Sequence, residues 1–360
     1  MANKFKPYSS LPYLHGKPIA TGEIRSSNSD FKVFEILPFS ATGEGEHLLL
    51  HIEKSGENTT WVARQLAKHF GVKEMAVSYA GLKDRNAITQ QWFGIHLPGK
   101  PNDDLSAFNI PNVKILSYAR HNKKLRTGAL IGNRFELTLR NVTAIDDAIE
   151  RFEQIVHSGV PNYFGEQRFG FDGSNLNKAL SLFNGQKIKD RKKRGMYLSA
   201  ARSYIFNQII AKRIAQNAFL SPVIGDVFML TGSQSIFKST EVDDDIIQRV
   251  AKHEIDITAS MWGAGDLLTA IDALAIESSV KDNNQQLCDG LENFGLKQER
   301  RRMRLSMLQP NVVKVDDKTL TLSFILPAGS YATAILREVI NYKDVSDERT
   351  QAKRNDNKAT

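Results

Sequence analysis

Ser78-Tyr79-Ala80-Gly81-Leu82-Lys83-Asp84-Arg85-Asn86-Ala87-Ile88-Thr89-Gln90-Gln91-Trp92-Phe93 reads as the end of one strand, a polar turn and the start of another. A short strand is predicted at Met75–Ala80, and beyond the turn Phe93, Ile95 and Leu97 alternate. Upstream, Phe31 and Val33 and the run Leu48-Leu49-Leu50-His51-Ile52 have strand character. A helix follows, with Asn58 as its cap, Val62, Leu66 and Phe70 recurring every four residues, and Gly71 ending it. Downstream, Phe135, Leu137 and Leu139 alternate and predict one more strand. From Phe31 to about Arg140 the pattern is therefore mixed α/β.

The middle of the chain has a different texture. Asp146 caps a predicted helix reaching about Val156, and Ser199–Ala215 reads as another, with Ile205, Ile209 and Phe206, Ile210 at helical spacing. The acidic run Glu241-Val242-Asp243-Asp244-Asp245 suits a helix start, where carboxylates meet the positive end of the dipole. Strand alternation returns at Leu320, Leu322, Phe324 and Leu326, and Ala332, Ile335, Leu336 and Val339 predict a closing helix. This order predicts a sheet domain begun near residue 20 and completed only after residue 310, with the central segment inserted. The tail from Lys343 to Thr360 is polar and charged and is expected to be disordered.

Composition narrows the function classes. With 360 residues, 41% of them hydrophobic, the chain can bury two domain cores. A formal charge of +8 favours a polyanionic partner, because Lys and Arg bound to phosphates release condensed counterions. Cys288 is the single cysteine, read as an isolated buried thiol, so neither an internal disulfide nor a Cys-rich zinc site can form. Met1 to Pro12 lacks the apolar core of a signal peptide, and no apolar run approaches the roughly 18 residues of a membrane span. A cytoplasmic protein is expected. His69, His96 and His121 are scattered without metal-ligand spacing. Gly43-Glu44-Gly45 and Gly263-Ala264-Gly265 begin a dinucleotide-binding pattern, but Leu48 and Leu268 stand where its third glycine belongs, so both read as turns.

The residue with chemical promise is Asp84. Lys83 and Arg85 flank it, and cationic neighbours favour a carboxylate, which serves as a nucleophile at sugar carbons or as a base. On spacing alone, a solvated Lys-Asp-Arg surface turn is the simpler reading. The wider sequence changes that judgement. Gly81-Leu82-Lys83-Asp84-Arg85 followed by Thr89-Gln90-Gln91-Trp92 resembles the active-site motif of the tRNA pseudouridine synthase D family. Further stretches resemble the family's motifs in the family's order. They are Tyr13–Pro18, Asp30–Glu35, Gly43–Leu48, Gly132-Asn133-Arg134-Phe135, Pro161–Gly170, Leu198–Ser203 and Leu326–Thr333.

The resemblance implies a pseudouridine synthase fold of α/β (α+β) class, with a mixed, largely antiparallel sheet in permuted order and an inserted, family-specific α/β domain. Placed on this chain, the catalytic domain is expected at residues 1–158 and 306–342, and the insertion at 159–305. The implied enzyme is an isomerase that turns a uridine of tRNA into pseudouridine, expected at uridine 13 of the D arm and typically in tRNA-Glu. It needs no cofactor, metal, membrane or obligate protein partner. Asp84 matches the nucleophile; Phe31, Asn133 and Tyr331 match positions that line the active site. Arg25 falls where a basic residue pairs with the aspartate, and Phe135 supports the pocket. Taken alone, Phe31 and Phe135 sit in alternating strands, where a core aromatic is the default. Many family members carry phenylalanine at the Tyr331 position. The basic runs 121–126, 189–194 and 300–304 are then candidates for phosphate contacts. Two other classes compete: a non-catalytic RNA-binding protein or chaperone on the same fold, and a ribosome-associated structural protein suggested by charge. Neither accounts for an intact Asp84 loop among ordered motifs.

Overall fold

The alternating segments pair as a sheet in the computed structural model, which describes residues 5, 8–99, 105, 107–346 and 348. The elements in chain order are β1 (Thr21–Ile24), β2 (Phe31–Ile36), β3 (His47–Ser55), α1 (Thr59–His69), β4 (Val77–Tyr79), β5 (Ile88–His96), β6 (Val113–His121), β7 (Gly132–Leu139) and α2 (Ile145–Ser158). There follow β8 (Val160–Pro161), α3 (Ser174–Phe183), α4 (Arg191–Ala215), β9 (Val227–Leu230), β10 (Ile236–Lys238), α5 (Asp244–Ala251), β11 (Ile255–Met261), α6 (Ile271–Asn283) and α7 (Gln285–Asn293). Then come β12 (Glu299–Arg302), β13 (Arg304–Leu305), β14 (Leu308–Asp316), β15 (Thr319–Pro327), α8 (Ala332–Val339) and β16 (Asn341–Asp344).

The main sheet runs β14-β15-β7-β2-β5-β3-β6, with β4 added on β5. Its β2 and β5 are parallel neighbours and its other pairings are antiparallel, so the class is mixed α/β with a largely antiparallel sheet. Register places one row of side chains across five strands. Phe324 pairs with Phe135, Phe135 with Val33, Val33 with Thr89, and Thr89 with Lys54. Directly paired residues share a face, so a lysine, paired in turn with Val113 of β6, stands in a row that otherwise carries apolar side chains and one threonine. Along β3 the same alternation buries Leu48, Leu50, Ile52 and Lys54. The apolar stripe of α1, Val62 and Leu66, packs with Leu48, Leu50, Ile52, Phe93 and Ile95.

The chain divides into two compact units. Residues 18–153, 307–329 and 339–360 form the unit that holds the main sheet, and residues 1–17, 154–306 and 330–338 form the other. In the latter, Phe206, Ile209 and Ile210 of α4 are buried with Phe169, Phe228, Trp262 and Leu291. A four-stranded antiparallel sheet, β10-β9-β11-β12, belongs to the same unit. Its N-terminal segment is tied to α8. The Arg337 guanidinium lies 3.9 Å over the Tyr13 ring and donates to the carbonyls of Leu11 and Pro12, while Glu338 Oε2 accepts from the Leu14 amide at 3.0 Å.

Three expectations need correction. The strand predicted at Met75–Ala80 shortens to Val77–Tyr79, because Glu74–Ala76 forms a 3-10 turn that leaves Met75 exposed. The helix predicted at Ser199 begins at Arg191, where the Asp190 side chain accepts from the Lys192 and Lys193 amides; its first turns are polar and carry no hydrophobic period. The tail expected to be disordered from Lys343 onward is ordered at its start. Asn341–Asp344 pair in parallel with Thr21–Ile24, which satisfies the backbone groups on the facing edges of the two strands. Residues 347 and 349–360 lie outside the described residues.

Gly132 marks the tightest point of the sheet, since a Cβ there would stand 2.2 Å from the Leu326 carbonyl oxygen. Gly132→Ala is expected to lower the unfolding free energy by about 1–3 kcal/mol through overpacking against backbone. At Gly195 in α4 an added methyl meets nothing within 4 Å. Gly195→Ala should raise stability by about 0.5–1 kcal/mol, the gain from removing glycine's backbone freedom in a helix. Urea denaturation of the two variants beside the parent chain checks both signs.

Candidate active site

The turn between β4 and β5 is held by hydrogen bonds from four elements. Thr59 at the start of α1 accepts from the Lys83 amide at 3.0 Å and donates to Gln91 Oε1 at 2.9 Å. Gln91 of β5 in turn donates to the Gly81 carbonyl at 3.3 Å. Lys83 Nζ donates to Glu35 Oε1 of β2 at 2.6 Å, and Glu35 Oε2 accepts from the Trp92 amide at 2.9 Å. From β3, Lys54 Nζ donates to the Asp84 carbonyl at 3.0 Å. Arg85 Nε donates to the Gly56 carbonyl at 3.0 Å. Neither charged neighbour of Asp84 in sequence therefore serves its carboxylate. Lys83 is paired with Glu35, and Arg85 is engaged by backbone.

The cation at the carboxylate is Arg25, whose Nη2 donates to Asp84 Oδ2 at 3.0 Å. Its Nη1 donates to Asp344 Oδ2 at 2.5 Å, so one guanidinium spans two carboxylates. Arg25 is 4% exposed and lies 4.0 Å over the Phe31 ring. Its backbone is left-handed, at φ +58°. For a side chain of this size that conformation costs about 1–2 kcal/mol. Two charge-assisted bonds and the ring beneath offset it. Asp84 itself remains 38% exposed, and its Oδ1 makes no hydrogen bond among the described residues, so one oxygen is free to act.

Beneath this pair lie aromatic side chains. Phe31 is buried edge-on to Phe135, with centroids 6.4 Å apart, and Phe135 packs 5.7 Å from Phe324. Phe31 therefore forms the floor on which Arg25 rests. Asn133 shares this face, since it pairs with Glu35 on one side and Leu326 on the other. Its Oδ1 is buried and has no hydrogen-bond partner among the described residues. A buried acceptor left without a donor is costly, and a site prepared for a ligand N–H accounts for one. Burial pushes the Lys54 ammonium down to about 8, against the pull of the Asp84 charge.

Tyr331 belongs to the other unit, where it gathers two more motif segments. Its hydroxyl accepts from Arg168 Nη2 at 2.7 Å, and Arg168 Nη1 donates to Ser199 Oγ at 3.1 Å. The Tyr331 ring meets Phe164 edge-on at 6.1 Å, and Asn207 clamps the Phe164 backbone from both sides, with bonds of 2.9 and 3.0 Å. Arg301 lies 4.4 Å over Phe164, and burial pushes its guanidinium down to about 10.

The run Arg300–Arg304, expected to meet phosphates, is instead internal wiring. Arg300 is bound to Glu277 at 2.8 Å, while Arg302 and Arg304 share Asp256 at 3.0 and 2.9 Å. Alternation along β12 and β13 and the buried carboxylates of β11 and α6 turn these charges inward. Lys123, Lys124 and Arg126, and Lys189 and Arg191–Lys193, stay exposed. Among the described residues, no helix is long and apolar enough to cross a membrane.

Lys54, Glu35 and Asp344 escaped the sequence reading. Lys54 did leave a signal, because it continues the inward register of Leu48, Leu50 and Ile52. Asp344 left none, since nothing in a polar tail marks the residue that will meet Arg25.

Comparison with known proteins identifies the family. The chain matches the family described as tRNA pseudouridine synthase D (TruD) over residues 9–179 and 174–339. It is 57% identical to the tRNA pseudouridine synthase D of Colwellia psychrerythraea, over 93% of this chain and 94% of that one. With the Shewanella oneidensis protein of the same name the identity is 48%, over 94% and 91%. A solved TruD structure from Methanosarcina mazei has the same fold, with a TM-score of 0.69 over 92% of this chain and 94% of that one at 22% identity. The chain belongs to the tRNA pseudouridine synthase D family.

Proposed function

We propose that the protein converts a uridine of tRNA to pseudouridine with Asp84 as its nucleophile, at uridine 13 of the D arm and typically in tRNA-Glu. The observation that carries this reading is the half-held carboxylate. One Asp84 oxygen is fixed by Arg25, the other is open, and the backbone beneath is bound from several elements. The unit with the main sheet carries the chemistry, and the inserted segment, about residues 159–305, contributes to tRNA binding. The reaction takes place in the cytoplasm.

In the reaction the C1′–N1 bond breaks, the uracil turns, C5 bonds to C1′, the C5 proton leaves and N1 takes up a proton, so the formula is unchanged. Oxidation state is unchanged and nothing is added, so the residues of this chain suffice for the balance. Asp84 either attacks C1′ to form a sugar ester, which C5 then displaces, or removes the 2′ proton to form a glycal and returns it to C2′ as C5 bonds to C1′; both routes use its free oxygen. Arg25 keeps the carboxylate aimed. Asn133 Oδ1 accepts an N–H from the uracil edge. Phe31 acts through Arg25, and Phe135 through Phe31. Tyr331 contributes an aromatic surface to tRNA, held in place by Arg168. Taking the base out of its stack costs roughly a few kcal/mol, which contacts of this kind offset.

Purified protein incubated with an unmodified tRNA transcript, followed by chemical mapping of pseudouridine, tests the reading. Asp84→Asn is expected to lower the rate by about a thousandfold or more, as loss of a nucleophile does, with tRNA affinity retained. An active Asp84→Asn, or a parent chain that binds tRNA and modifies no uridine, would sink the proposal. The exposed basic turn of α4 gives a second expectation. Lys192→Ala combined with Lys193→Ala should lower the slope of log affinity against log salt by about 1 to 2. Arg300→Met should instead lower the melting temperature, because it strands Glu277.

A further inference from the structure

Lys54 is fully buried, yet it carries a charge for which the fold has no evident need. It stands in the row Phe324, Phe135, Val33, Thr89, between Thr89 and Val113 of β6, and its stem continues the register of Leu48, Leu50 and Ile52. Among the described residues no carboxylate lies within ion-pair distance of its Nζ, which is bonded to the Asp84 carbonyl at 3.0 Å. A neutral donor would satisfy that carbonyl without the penalty of burying an ammonium ion. The charges facing it are Asp84, Lys83 and Glu57. Lys83 is neutralised by Glu35. At the carboxylate, Arg25 alone spans Asp84 and Asp344, which leaves one negative charge over. Asp84 is the strongest of the charges facing Lys54, and it attracts the ammonium.

We propose that Lys54 is a positioning residue for the isomerisation: its buried ammonium holds the Asp84 peptide and attracts the Asp84 carboxylate, so that the carboxylate keeps its aim. This rests on Asp84 being the nucleophile. The role is electrostatic, since interior charges interact through a weakly screening medium. It is lost when the ammonium gives up its proton, which burial brings down to about pH 8. The Lys54 charge is present below that pH and disappears as pH rises through it.

The test uses the full chain and an unmodified tRNA transcript, with Lys54→Met as the neutral variant of similar length and Asp84→Asn beside it. Lys54→Met is expected to lower kcat on the order of a hundredfold, the scale of a misplaced reacting group, with KM for tRNA unchanged and a melting temperature at neutral pH no lower than the parent's. The parent's kcat should fall as pH rises through about 8, and the residual rate of Lys54→Met should be flat there. A kcat near the parent's, or an equal alkaline fall in both, overturns the inference. If Lys54→Met does not fold, the parent's own profile decides, since a rate that stays level to pH 9.5 removes the titrating charge from the mechanism. An inactive Asp84→Asn beside a fully active Lys54→Met refutes the Lys54 role alone. An active Asp84→Asn refutes the underlying reading.

Discussion

A guanidinium sealed from water must find acceptors, and Arg25 finds them in Asp84 and Asp344. Much of the candidate site follows from that demand. Arg25 leaves β1 in a left-handed conformation, which turns its side chain over Phe31. Phe31 can be a flat floor because Phe135 and Phe324 pack edge and face behind it. Asp344 is in reach because β16 lies parallel to β1, with Ile24 paired to Asp344. A segment near the C-terminal end of the chain thus completes a contact begun near residue 25.

The loop that bears Asp84 is rigid for a related reason. Its polar groups are met by Thr59, Gln91, Glu35 and Lys54, side chains from one helix and three strands. Such bonds gain strength where water is scarce, and together they leave the Asp84 backbone little freedom. The partly exposed carboxylate is therefore carried on a fixed backbone and held through one oxygen by Arg25. Preorganisation of this kind lets a carboxylate act without first reordering its surroundings.

The net charge of +8 gives a misleading picture of where the positive surface lies. Arg213 is buried with Asp226, Arg300 with Glu277, Arg304 with Asp256, and Arg337 sits among Tyr8, Tyr13 and Tyr163. These arginines hold the fold. The cations available to a polyanion are the exposed ones, such as Lys192 and Lys193 at the first turn of α4. A planar fork suits internal pairing with carboxylates, whereas a hydrated ammonium suits the surface.

By itself the sequence determined several main-sheet strands and their faces, because alternation at Leu48, Leu50 and Ile52 or at Leu320, Leu322 and Phe324 is a local property. It also determined helix starts such as Asp243, where a short side chain caps its own backbone. The motif around Asp84, with its ordered companions, was enough to indicate the family. What only the tertiary structure decided was partnership. Lys83 and Arg85 flank Asp84 in the chain, but the carboxylate is served by Arg25, 59 residues away. Arg300–Arg304 read as a surface for phosphates and proved to be internal ion pairs, and Lys343–Asp344 read as tail and proved to be strand. The physical reason is common to these cases. Secondary structure follows from short-range sterics and the periodicity of burial, whereas a charge is placed by whatever opposite charge the folded chain carries to within a few ångströms.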